Sequence, residues 1–73
     1  MSRDRLLKRH LRERFVVTLK TGEAFDGLLD EWDESTLELI NVHAVSEKTR
    51  VRVDGRVYLP RTQIAYMQRP EAS

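Results

Sequence analysis

The hydrophobic pattern of this chain changes period once, at Phe15. Upstream, Leu7 and Leu11 stand four apart, as do Leu6 and His10, with no Gly or Pro between them. That spacing predicts a helix over 3–14, with Ser2 or Asp4 as its cap and Asp4–Lys8 as a helpful i,i+4 pair. Its apolar stripe is thin, which suits a helix lying on a larger surface. From Phe15 the period is two: Phe15, Val17 and Leu19 alternate with Val16, Thr18 and Lys20, as a half-buried strand does. Thr21-Gly22-Glu23 predicts a tight turn with glycine at positive φ. The next strand, from Ala24, places Phe25, Gly27 and Leu29 on one face and Asp26, Leu28 and Asp30 on the other. A glycine inside a strand marks a bend or a close backbone approach.

Asp33-Glu34-Ser35 predicts another turn, and Thr36 to Val45 a third strand with Leu37 and Leu39 inward. Its alternation slips near Ile40-Asn41, the signature of a bulge. After a loop tip at Ser46-Glu47-Lys48-Thr49, residues 50–53 alternate again, and Asp54-Gly55 predicts a hairpin turn. Val57-Tyr58-Leu59 is a short strand broken by Pro60-Arg61, and Ile64 to Gln68 is the last. A helix followed by about five short, bent strands buries its apolar face best as a small barrel. The expected layout is one domain: a basic helix over 1–14, the barrel over 15–69 and a tail over 70–73. Open strand edges call for cover by another chain, and head-to-tail pairing closes a ring where the rotation allows.

Composition narrows the function classes. Hydrophobic residues make up 40% and charged residues 34%, which fits a small globular domain with little apolar material to spare. Without cysteine there is no disulfide, thiolate metal site or cysteine nucleophile, and His10 and His43 are too few for a histidine cluster. No apolar run is long enough for a membrane span, so the expected setting is cytoplasmic, with no cofactor. The net charge of +1 conceals a segregation. Residues 1–14 carry +4, residues 21–47 carry eight acids and no Lys or Arg, and residues 48–73 return to +4. That pattern predicts one basic and one acidic face.

From Phe15 to Gln68 the chain resembles the Sm-like family (Sm, LSm and Hfq proteins). The first family motif matches Val17-Thr18-Leu19-Lys20-Thr21-Gly22, then Phe25-Asp26-Gly27-Leu28-Leu29, Trp32-Asp33 and Leu37-Glu38-Leu39. The second, less specific, matches Val57 to Tyr66. The resemblance implies a mainly β fold: an N-terminal α-helix on a five-stranded, strongly bent SH3-like barrel, the Sm fold. It also implies a ring of about five to eight copies and binding of single-stranded RNA. The sequence departs from the family in its uridine pocket. There the stacking residue, the base-reading asparagine and the arginine of the second motif are replaced by Ser35, Leu37 and Pro60. Asp33 is kept, and Arg61 comes one position late. Uridine specificity is therefore not carried over.

The basic helix is left as the main RNA candidate, through Arg3, Arg5, Lys8, Arg9 and Arg12, with Arg61 beside the old pocket. Lys48, Arg50 and Arg52 extend a lateral basic patch. The acids of the middle segment alternate with core positions as a solvent face does, so no enzyme activity is expected. His10 and His43 read as surface or interface residues, Phe25 and Trp32 as core, and Tyr58 and Tyr66 as interface. The expected function is an RNA-binding homo-oligomeric ring without a membrane partner. The alternatives are a ring-shaped structural or protein-interaction module whose acidic face docks a basic protein, and duplex DNA binding by the helix.

Overall fold

The computed structural model describes residues 2–70, with side chains from Arg5 to Pro70. The chain runs α1 (Ser2–Arg9), β1 (Arg14–Leu19), β2 (Ala24–Trp32), β3 (Thr36–Val45), β4 (Arg50–Val53) and β5 (Val57–Pro60). A 3-10 turn (Arg61–Gln63) then leads into β6 (Ile64–Gln68). All the strands pair antiparallel in the order β4-β3-β2-β1-β6, with β5 also on β3. This is the expected class: mainly β, a helix and then a bent sheet.

The strand count is six rather than five, and Asp54-Gly55 is not a hairpin. β4 and β5 do not pair with each other; they follow one another along β3, with Val53 opposite Val42 and Val57 opposite Leu39. One edge is therefore interrupted at Asp54-Gly55-Arg56, where Gly55 takes a φ of 79°. Across the break, Asn41 of β3 sits at φ 52°. Asp26 faces His43 while Leu28 faces Ile40, so β3 carries one extra residue there, the expected bulge. Gly27 lies against it. A Cβ at that position would stand 3.1 Å from the Ile40 carbonyl oxygen and 3.1 Å from a Val42 methyl, so the approach admits only glycine without a shift.

The alternation read from the sequence delivers the core. Phe15 and Val17 of β1, Leu29 of β2, Leu37, Leu39 and Val42 of β3 and Leu59 of β5 form one buried cluster. Leu7 reaches it from α1, and Phe25, Trp32, Ile64 and Met67 pack around it half-buried. Truncating a fully buried leucine here, such as Leu39→Ala, costs about 2–5 kcal/mol.

The helix is shorter than its spacing suggests. It stops at Arg9, and the chain turns through His10–Arg12 with Arg12 at φ 66°. The reason is tertiary: Arg12 donates its backbone N–H to the Leu29 carbonyl at 2.6 Å, and the Glu13 carbonyl accepts from Leu29 at 3.1 Å. Pairing with β2 takes the chain out of the helix before β1 begins. Two open edges remain among the described residues, one along β4 and β5 and one along β6. Each presents an exposed tyrosine, Tyr58 (63%) and Tyr66 (55%).

Candidate nucleic-acid interface

Sheet order decides which cations are available to a ligand. The acidic strands β2 and β3 lie between strands that carry arginines, so acids and bases distant in sequence meet on one surface. Asp26, only 3% exposed at its side chain, takes both carboxylate oxygens of its charge to Arg14, at 2.7 Å from Nε and 2.7 Å from Nη2. Arg50 adds a third donor at 2.7 Å. Hydrogen bonding to Arg14 and then to Arg50 outweighs burial and holds the Asp26 carboxyl below the ordinary aspartate range. Arg56 bridges Asp30 at 3.0 Å and Glu38 at 2.8 Å, both of them buried. Arg12 stands 2.7 Å from Asp30 Oδ1, close enough for an ionic contact but without hydrogen-bond alignment. Arg69 meets Glu13, which also contacts His10 Nδ1 at 3.1 Å.

Separate basic and acidic faces therefore do not describe the barrel. Of the expected RNA contacts, Arg12 is a counter-ion to Asp30, and in the lateral patch Arg50 serves Asp26. Arg3 lies outside the described side chains, as do the caps proposed from Ser2 and Asp4. Arg5, Lys8 and Arg9 are exposed on α1 and make no ion pair with any described residue. Lys48 and Arg52 are likewise exposed and unpaired among the described residues, with Arg52 opposite His43.

The positions of the family pocket come together at one end of the sheet, in a different role. Asp33 Oδ1 accepts from the backbone N–H of Ser35 (2.8 Å) and of Thr36 (2.9 Å) and from the Ser35 hydroxyl (3.1 Å). These bonds, led by the Ser35 amide, keep its carboxyl below the ordinary range. Arg61 clamps the same loop: Nη1 donates to the Asp33 carbonyl at 2.7 Å, and its backbone N–H to the Ser35 carbonyl at 2.8 Å. Pro60 stands opposite Thr36 at the edge. Leu37 is 1% exposed and belongs to the core, not to a pocket wall. The arrangement ties the loop together, and the stacking position itself holds Ser35 instead of an aromatic ring.

Two surface depressions share Trp32. One is bounded by Glu31, Asp33, Thr36, Glu38 and Tyr58, the other by Leu11, Arg12, Asp30, Glu31 and Arg56. Sequence reasoning placed Trp32 in the core and left Arg56 unused; the signal that was present is a tryptophan directly before the loop aspartate, at the end of a strand. Asp30, Glu31 and Glu38 offer carboxylate oxygens within 4.8 Å of one another, and Arg12 and Arg56 supply positive charge to that cluster. No helix among the described residues is long and apolar enough to cross a membrane.

No protein-family model and no curated protein matches the chain. Solved structures do. The SmAP1 heptamer of Pyrobaculum aerophilum superposes with a TM-score of 0.87 at 12% identity, over 99% of this chain and 97% of that one. The Sm protein of Pyrococcus abyssii, solved in complex with a uridine heptamer, gives 0.78 at 20% identity, over 86% and 90%. A chain of the NatC complex bound to CoA gives 0.78 at 20%, over 89% and 84%. At these identities the likeness is one of fold, and in that sense the chain is Sm-like: its helix and bent antiparallel sheet are those of the archaeal Sm proteins.

Proposed function

We propose that this protein binds single-stranded RNA through the face carrying α1, as one subunit of a homo-oligomeric ring, and that it acts by binding and not as an enzyme. The observation that carries this is the contrast in charge. Five barrel arginines face carboxylates, whereas Arg5, Lys8 and Arg9 of α1 face none among the described residues. Unpaired guanidinium and ammonium groups release condensed counterions when they meet phosphates, which drives association with nucleic acid. A ring repeats that cluster once per subunit. The open edges of β4–β5 and β6, each with an exposed tyrosine, suit strand pairing between copies. The uridine complex of the Pyrococcus Sm protein and the heptameric Pyrobaculum protein support the choice of ligand and assembly by their likeness in fold.

A second reading has its own observation. The depression between Trp32 and Tyr58 is lined by Glu31, Asp33 and Glu38, which suits a basic side chain of a protein partner. The same fold in a chain of the NatC complex supports it.

Labelled A-rich and U-rich oligonucleotides separate the two. RNA binding gives an anisotropy change whose affinity falls steeply with salt. Absence of binding to any single strand at low salt overturns the first reading and favours the second. Native mass spectrometry with and without a short RNA reads subunit number and ligand together, and a monomer under native conditions overturns the ring.

A further inference from the structure

We infer that the depression between the end of α1 and β2 takes one unstacked RNA base bearing an exocyclic amino group, with Trp32 as its stacking surface. The inference rests on the RNA-binding reading above and locates a base site within it. The depression measures about 550 Å³ and is bounded by Leu11, Arg12, Asp30, Glu31, Trp32 and Arg56. That volume lies in the range of small-ligand sites. Trp32 is half-buried: it packs against the core and still borders the depression. With the exposed Leu11 it supplies the apolar and π surface that Ser35, at the family's stacking position, cannot.

The charges sort the ligand. Within the lining, Arg12 and Arg56 are offset by Asp30 and Glu31, so the pocket is near neutral and suits a base better than a phosphate. Phosphates fall to Arg5, Lys8 and Arg9 on the helix that leads into it. Glu31 is exposed, and its carboxylate makes no hydrogen bond or ion pair among the described residues. It can accept from the amino group of adenine, cytosine or guanine, whereas uracil has none. Arg12 holds a left-handed backbone that arginine seldom adopts. Such an outlier, pinned by its N–H to the Leu29 carbonyl, sets this guanidinium at the rim.

Trp32 is the one tryptophan of the chain, so its emission reports the two depressions it borders and no other part of the barrel. Hexa-adenosine is expected to quench it and to bind several-fold tighter than hexa-uridine. Trp32→Leu is expected to weaken hexa-adenosine binding about tenfold, and Trp32→Phe, which keeps a ring, by about threefold at most. Glu31→Ala removes the acceptor at an exposed position, and the preference for adenosine over uridine should shrink. Oligonucleotides that bind by anisotropy yet leave tryptophan emission unchanged overturn the base pocket while the RNA reading stands, as does wild-type affinity in a folded Trp32→Leu. An unchanged base preference in a folded Glu31→Ala overturns the amino-group assignment. No binding of either hexamer at low salt overturns both readings.

Discussion

The arginines of the barrel and the cations of α1 are the same chemistry in two situations. Asp26 sits between Arg14 and Arg50, and Asp30 and Glu38 converge on Arg56, so each of these guanidinium groups has a nearly buried carboxylate to answer. Arg5, Lys8 and Arg9 have none among the described residues. A buried carboxylate without its cation is costly, so the barrel arginines are held to structural duty. The helix cations face no carboxylate among the described residues, which leaves them for a ligand. Counting basic residues therefore overstates the binding surface; subtracting those with a carboxylate partner leaves the α1 cluster, together with Lys48 and Arg52 at the β4 edge.

The strongest test reverses the helix charges. Arg5→Glu with Lys8→Glu and Arg9→Glu should lower affinity for single-stranded RNA about a hundredfold or more, measured by anisotropy at low salt. The melting temperature should hardly move, since exposed positions without partners contribute little. The complementary variant, Arg14→Gln with Arg50→Gln, strands the Asp26 carboxylate. Its melting temperature should fall on the order of 10 °C by circular dichroism, with RNA affinity changed only a few-fold. Equal effects of the two variants on both measurements would abolish the distinction.

A pH scan sharpens it further. The Asp26 carboxyl is lowered in the folded state, so its contribution is fully present above the unfolded value and is lost as pH falls through the folded one. Melting temperature should hold between about pH 5 and 8 and drop below about pH 4. In Asp26→Asn that acid-side drop should be smaller. The smallest effect concerns salt. Raising it from about 50 to 500 mM should shift the melting temperature by only about 1–2 °C, because ion pairs to buried carboxylates are weakly screened. The same change should remove most RNA binding.

Much of the fold was legible in the chain because it depends on neighbours in sequence. Phe15-Val17 and Leu37-Leu39 repeat every second residue and are buried, and the slip at Ile40-Asn41 is the bulge that Gly27 accommodates. The end of the helix was not legible. Leu7 and Leu11 keep the helical spacing, and only the hydrogen bond from Arg12 to Leu29, between residues far apart in the chain, stops it. The ion pairs escaped for the same reason: Asp26 and Arg50 are 24 residues apart and become neighbours through β3. Asp54-Gly55 has the composition of a hairpin turn, but β3 offers both flanking segments a common partner, and that pairing prevails.

The interruption at Gly55, set across from Asn41, has a bearing on solubility. β4 and β5 present their unpaired backbone groups on either side of a kink, so the edge is not one continuous ladder. A straight strand from an unrelated or misfolded chain can satisfy one segment or the other, but four residues of pairing hold little. Only a chain with a matching kink can engage the whole edge. The broken strand thus works against indiscriminate cross-β growth along this open edge.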